Sequence, residues 1–334
     1  MSEPLAKSRN SDSSESVSAR VGYLRDSSKL DPLTLMRIKN LELRAKVVAE
    51  GFMAGLHRSP YHGFSVEFTD YRAYSPGDDP RFLDWKLYGR VDRFFIKRFE
   101  DETNLRCNLV VDLSRSMSFG SSGFSKADYA RTLAATLAYF LSLQRDAVGL
   151  LTFDQSIGEY IPPRYRPGHL RRVLVALERA ESGNATDVSS ALEQIAMTVT
   201  KRGMVVLVSD FLTPVETLEK QLGYLRSRGH DVVVFRVLDR AEVDFNFDQE
   251  SLFQDEETGK QIYVNPETVR DDYLQRFNEH AQQLESACSK QGIEFFNAVT
   301  DEPMDQVLLN FLGGRASTKS GKAVKSNTTG KQRR

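Results

Sequence analysis

An α/β fold built on a doubly wound, mostly parallel sheet with helices on both faces is predicted for most of this sequence. Two observations carry that prediction. From residue 105 onward, short runs that are apolar without interruption (Leu109-Val110-Val111, Val205-Val206-Leu207-Val208, Val232-Val233-Val234-Phe235) alternate with longer stretches of helical character. Strands buried on both faces read in this way, and the intervening helices are what cover them. The second observation is a set of polar, oxygen-rich residues directly after those strands, where ligands bind in open α/β sheets.

The elements follow in order. Residues 1–30 are rich in Ser, Asp, Glu, Lys and Arg, and Ser8–Ser18 has Val17 as its single apolar residue. Such a segment cannot offset its ordering entropy by burial, so disorder is expected there. Asp31 and Pro32 read as the cap and first position of a helix carrying Leu33, Met36, Ile38, Leu41, Leu43, Val47, Val48 and Phe52, with an end near Gly51–Gly55. Residues 60–102 turn β-like and aromatic, in Phe64–Phe68 and Phe94–Phe99, around a turn-rich stretch, Tyr74–Pro80. Residues 31–104 thus read as a small helix and β-rich subdomain. The second domain, 105–314, then reads as strand (Leu105–Leu113), helix (Ala127–Leu143), strands (Val148–Phe153 and Ile157–Tyr165) and helices (Leu170–Glu181 and Val188–Thr200). It continues as strand (Met204–Val208), helix (Val215–Ser227) and strand (Asp231–Leu238). After an acidic insertion, 242–257, come a helix (Thr268–Lys290), a strand (Ile293–Val299) and a last helix (Met304–Phe311). Residues 315–334 hold seven basic residues (Arg315, Lys319, Lys322, Lys325, Lys331, Arg333, Arg334) and no acid, and read as a disordered basic tail.

Composition narrows the function. The 334 residues carry 45 Lys and Arg against 46 Asp and Glu, a net charge of −1, which argues against a globally basic nucleic-acid binder. With the tail's seven positive charges set aside, residues 1–314 sum to −8, so the body is acidic. Cys107 and Cys288 cannot make a disulfide framework or a Cys-rich zinc module and read as reduced packing residues. The most apolar helical stretch, Leu133–Leu143, falls short of the ~20 residues that span a bilayer, and the N-terminus has no charged-then-apolar export pattern. A cytoplasmic protein is expected. The tail could add weak membrane-surface or nucleic-acid contact, but it has no aromatic residues for base stacking, so no specific nucleic acid is expected.

Three segments at strand ends carry the chemistry: Asp112-Leu113-Ser114-Arg115-Ser116, Thr186-Asp187 before a helix, and Ser209-Asp210. Asp112, Ser114, Ser116, Thr186 and Asp210 are hard oxygen donors, suited to a small octahedral cation, Mg²⁺ or Mn²⁺. Zn²⁺ would recruit His or Cys, and the five histidines (His57, His62, His169, His230, His280) are scattered and read as surface or structural. Asp154 and Asp187 are candidates to support the ligands from behind. Asp and Ser also favour strand-to-helix loops as caps, and for the first motif alone that reading stands beside the metal one. Thr186 and Asp210 in their places favour the metal.

The spacing Asp-x-Ser-x-Ser, then Thr, then Asp resembles the metal-ion-dependent adhesion site of von Willebrand factor A domains. The resemblance implies these five residues as ligands and an open coordination position for a partner's carboxylate. Leu113 and Phe211 stand where extracellular A domains usually have Gly. A longer run, from Asp70-Tyr71-Arg72-Ala73-Tyr74 through Pro76-Gly77-Asp78-Asp79 and Arg81 to Asp84-Trp85, resembles the signature of the domain-of-unknown-function 58 family over about residues 35–312. That resemblance implies a partner or adaptor of a MoxR-type AAA+ ATPase in chaperone-like maturation or assembly, acting on a client that supplies a carboxylate to the metal. Many members carry transmembrane helices. Read from the residues, the signature is either an ion-pair and turn network or a docking surface; Pro76-Gly77 suits the centre of a type II turn. The insertion 242–257 is likewise a solvated hairpin or an acidic, aromatic docking surface.

A non-catalytic interaction module is therefore expected. The alternative is a metal-dependent phosphatase or hydrolase on the same fold. Ser114 stands where such phosphatases place a second Asp as acid/base. No Gly-x-Ser-x-Gly elbow, phosphate-binding Gly-x-x-x-x-Gly-Lys loop or dinucleotide fingerprint is present.

Overall fold

The computed structural model describes residues 31–58, 71–74, 85–97, 105–154, 156–179, 188–247, 251–254 and 261–312. The chain opens with helices α1 (Pro32–Met36) and α2 (Leu41–Arg58). A short antiparallel ladder of β1 (Tyr71–Ala73) and β2 (Phe95–Lys97) encloses α3 (Trp85–Val91). The main sheet begins with β3 (Arg106–Asp112), followed by a single 3-10 turn (Arg115–Ser118), α4 (Lys126–Leu143), β4 (Ala147–Phe153) and β5 (Ile157–Arg164). Then come α5 (His169–Arg179), α6 (Val188–Thr198), β6 (Met204–Ser209), α7 (Val215–Ser227) and β7 (Asp231–Leu238). A short helix α8 (Arg240–Asp244) leads to the hairpin β8 (Ser251–Gln254) and β9 (Gln261–Val264), then α9 (Pro266–Lys290), β10 (Glu294–Val299) and a last helix, α10, over 304–312.

The six-stranded sheet has the order β10-β7-β6-β3-β4-β5. Every neighbouring pair is parallel except the antiparallel edge pair β4–β5. From β3 the chain winds outward through β4 and β5, then returns beside β3 as β6 and winds the other way. The direction therefore reverses between β3 and β6, which makes their carboxyl ends the expected ligand crevice. This is a von Willebrand factor A-like doubly wound fold.

Strand residues alternate between two cores, as the two-residue strand period requires. Leu109, Val111, Val206, Val208, Val233 and Phe235 face a cluster with Leu133 and Leu137 of α4, Leu174 of α5 and Phe311 of α10. Val110, Val205, Leu207, Val232 and Val234 face a second cluster with Leu192 of α6, Leu218 of α7 and Leu284 of α9. Both faces are covered, so the unbroken apolar runs are explained. Gly203 lets β6 enter beside β3: a Cβ there would stand 2.3 Å from the Arg106 carbonyl oxygen.

Two helices stand where the sequence pattern reads as one. Asp31 accepts from the Thr34 N–H at 2.9 Å and starts α1, and Asn40 accepts from the Leu43 N–H at 2.8 Å and starts α2. Glu178 of α5 accepts the Leu41 N–H at 3.0 Å. Gly51 and Gly55 lie inside α2 rather than at its end, because the buried residues Ala45, Val48, Ala49 and Phe52 hold the helix against the core. Leu41, Ala45, Val48 and Phe52 belong to the same apolar cluster as α4, so α2 packs into the core of the large sheet.

Candidate metal centre

β3 and β6 are paired in parallel up to Val111 and Val208, so Asp112 and Asp210 leave the sheet together at the switch-point edge. Asp112 is fully buried. Its Oδ1 accepts the Ser114 N–H at 2.9 Å and its Oδ2 accepts the Ser209 hydroxyl at 2.5 Å. Burial and the neighbouring Asp210 charge push the Asp112 carboxyl up to about 7, against the opposing pull of the Ser209 and Ser114 hydrogen bonds. A cation between the two acids would remove that conflict.

Ser114 occupies the cap position of the 3-10 turn, yet its hydroxyl makes no capping hydrogen bond. Its Oγ lies 3.2 Å from Ser116 Oγ instead. The turn-and-cap reading of this motif holds for Asp112, whose Oδ1 takes the Ser114 N–H, and not for the Ser114 hydroxyl. The structure turns it toward the second serine, leaving two hydroxyl oxygens side by side next to Asp112.

Asp210 is held from three directions. The Lys126 ammonium donates to Oδ2 at 2.9 Å, the Leu212 N–H to Oδ1 at 3.3 Å, and Arg236 Nε to the Asp210 carbonyl at 3.2 Å. The next residue, Phe211, adopts a left-handed backbone (φ 52°), which is the conformation that favours Gly at this place. Phe211 is buried, and its N–H donates to Ser209 Oγ at 3.1 Å. Packing and this bond hold a backbone shape that a non-glycine residue otherwise resists.

Lys126, the first residue of α4, is 0% exposed and bridges Asp210 to Glu242 Oε1 of α8 at 2.6 Å. Burial alone would lower the ammonium's pKa; the two carboxylates outweigh it and hold it above the ordinary lysine value. Arg236 of β7 is equally buried, with its guanidinium 4.9 Å from the Phe277 ring centre and Nη2 3.4 Å from His280 Nδ1. Asp239 caps α8 through the Ala241 N–H and also accepts the Ser121 hydroxyl, the Ser121 N–H and the Thr300 hydroxyl. It thereby ties the loop after the 3-10 turn to the ends of β7 and β10.

Four of the five predicted ligands are thus placed: Asp112, Ser114 and Ser116 on one loop and Asp210 on the next. Thr186 and Asp187 lie outside the described residues. Asp154 follows β4 and closes its own turn, accepting the Ser156 N–H at 3.2 Å. Among the described residues no three His, Cys, Asp or Glu side chains form a metal-holding group; the carboxylates at this edge are Asp112 and Asp210, beside the hydroxyls of Ser114 and Ser116. His169, His230 and His280 each bond a backbone carbonyl and are structural. In the signature, Tyr71 and Arg72 form β1, Tyr74 packs its ring on Phe94, and Trp85 opens α3. Asp70, Pro76, Gly77, Asp78, Asp79, Arg81 and Asp84 lie outside the described residues.

Lys126, Glu242 and Asp239 are the residues that sequence reasoning missed, and Ser209, named there beside Asp210, gains its role as the donor to Asp112. Lys126 did leave a signal. A cation in the first turn of a helix opposes the macrodipole, so it needs a carboxylate partner nearby. Glu242 falls in the acidic insertion, but its side chain is only 16% exposed and faces Lys126, so it belongs to the site.

The model of the family described as protein of unknown function DUF58 matches residues 70–283, a span that holds both the signature and the Asp112–Asp210 edge. The chain belongs to that family. A curated relative of this DUF58 chain, uncharacterized protein Rv1480 of Mycobacterium tuberculosis, is 27% identical over 290 residues, covering 85% of this chain and 90% of that one. An uncharacterized protein of Mycobacterium avium is 26% identical over 148 residues, 44% of this chain and 86% of that one. Among solved structures, the conserved hypothetical protein BatB from Bacteroides thetaiotaomicron aligns with a TM-score of 0.41 at 14% identity, over 65% of this chain and 99% of that one. The SpRpn10 VWA domain aligns with a TM-score of 0.37 at 10% identity, over 62% and 95%. Among the described residues of this DUF58 chain, no helix is long and apolar enough to cross a membrane.

Proposed function

We propose that this DUF58 chain is a non-catalytic, metal-dependent protein-interaction module. Mg²⁺ or Mn²⁺ would be held by Asp112, Ser114, Ser116, Thr186 and Asp210. When bound, the cation supplies an open coordination position to an acidic side chain of a partner. The observation that carries the reading is the fully buried Asp112 carboxyl beside Asp210, with the Ser114 and Ser116 hydroxyls 3.2 Å apart on the same loop. Hard oxygens around an excess of negative charge are what a small divalent cation satisfies. Binding rather than turnover is supported by Ser114 standing where an acid/base carboxylate would be needed.

The partner we propose is a MoxR-type AAA+ ATPase together with a client protein that supplies the carboxylate, in cytoplasmic maturation or assembly. The resemblance of the signature run supports this choice. The test is a pull-down from lysate with the full chain, with and without EDTA, and with Asp112→Ala. Capture of an AAA+ ATPase that EDTA and Asp112→Ala both abolish is expected. Capture that is unchanged by either would refute the metal-dependent reading. Metal-dependent hydrolysis of a generic phosphoester, lost with Asp112→Ala, would replace it with the enzymatic one.

A further inference from the structure

A cation is already seated at this edge. The Lys126 ammonium lies 2.9 Å from Asp210 Oδ2 and 2.6 Å from Glu242 Oε1, with no exposed surface. We propose that Lys126 is a resident counter-ion that competes with the divalent cation for Asp210, and that Glu242 retains the ammonium when the cation enters. The inference rests on the metal reading of the preceding subsection.

Charge balance supports it. Asp210 and Glu242 share Lys126, and Arg236 Nε bonds the Asp210 backbone carbonyl, so these two carboxylates have cationic neighbours without any metal, while the buried Asp112 carboxyl beside Asp210 is held by Ser209 and Ser114 alone among the described residues. A divalent cation on Asp210 would share one carboxylate with the ammonium, and like charges a few ångströms apart in a buried site repel strongly. Lys126 has somewhere to go. Its four-carbon stem and rotatable ammonium can pivot on Glu242, already its shorter contact. Glu242 is itself fixed, because its other oxygen accepts the Asp239 N–H at 2.9 Å in the capping box of α8. Metal occupancy is thereby tied to α8, the helix that leads into the β8–β9 hairpin.

The two variants that test this move in opposite directions. Mn²⁺ is titrated calorimetrically into the full chain, Lys126→Met and Glu242→Gln, with folding verified by circular dichroism. Lys126→Met frees Asp210 and is expected to bind Mn²⁺ at least tenfold more tightly. Glu242→Gln leaves the ammonium with Asp210 alone and is expected to bind at least threefold more weakly. If Lys126→Met does not fold, Glu242→Gln decides. Mn²⁺ binding to the unaltered chain with affinity unchanged in the variants overturns the counter-ion role while the metal site stands. No Mn²⁺ binding by the unaltered chain or by Lys126→Met overturns the metal reading and this inference together.

Discussion

Replacing Lys126 with Met tests the buried ion network through stability alone. The substitution keeps the stem's volume and removes the charge, so a cavity contributes little to the result. Two carboxylates, on Asp210 and Glu242, lose their common partner at 2.9 and 2.6 Å in a place with almost no solvent. Removing one member of a buried ion pair costs about 3–5 kcal/mol, because a charge is left uncompensated. For a domain of this size each kcal/mol moves the melting temperature by about 2–4 °C, so a drop of about 6–20 °C is expected. The assay is urea and thermal unfolding followed by circular dichroism, in EDTA. The combined variant Lys126→Met, Asp210→Asn, Glu242→Gln should recover part of the loss, since neutral groups of similar shape replace the three charges that meet at Lys126, while the buried Arg236 keeps its bond to the residue 210 carbonyl. A loss below about 1 kcal/mol, the scale of a surface pair, would refute the reasoning. So would a combined variant no more stable than the single one.

Other expectations follow from the same structure. In chelator, the Asp112 carboxyl titrates near 7 when folded and near 4 when unfolded, so the folded state binds the proton more tightly. Its stabilising effect is complete below about pH 4 and is lost as pH rises toward about 7; Asp112→Asn should flatten that slope, and an identical pH profile in both proteins would contradict the assignment. Gly149→Ala would place a Cβ 2.7 Å from the Ile161 carbonyl and the Pro163 nitrogen, and should cost about 1–3 kcal/mol with faster amide exchange in β5. Unaltered exchange there would count against the close β4–β5 approach. Both cysteines are buried, and burial with the Glu285 charge pushes the Cys288 thiol up to about 12. Neither should react with a thiol reagent until denaturant is added, and rapid native labelling of either would show that the core opens there.

Much of this fold was legible because its strands are buried on both faces. Val205–Val208 and Val232–Phe235 announce themselves by unbroken apolar character, and Asp112 and Asp210 follow such strands directly. The break between α1 and α2 was less legible. Asn40 and Glu178 create it, and Glu178 is 137 residues away from the N–H it receives. The edge proposed to hold the cation was readable as a set of residue types. Its second layer was not, because Lys126 meets Asp210 across 84 residues and Glu242 across 116. The acidic insertion illustrates the same limit. Composition groups Glu242 with its neighbours, whereas the capping box of α8 turns it inward. The left-handed Phe211 is a further case: sequence shows only that Gly is missing, and the structure shows the Ser209 bond and the burial that hold the backbone in its absence.

Asp112 and its serines are proposed to form a divalent-cation site. Manganese electron paramagnetic resonance, counting free Mn²⁺ against added protein, tests it most directly. One Mn²⁺ bound per chain is expected, lost in Asp112→Asn and weakened in Ser114→Ala and Ser116→Ala, with circular dichroism unchanged. Undiminished Mn²⁺ binding by Asp112→Asn, or none by the unaltered chain, would contradict it.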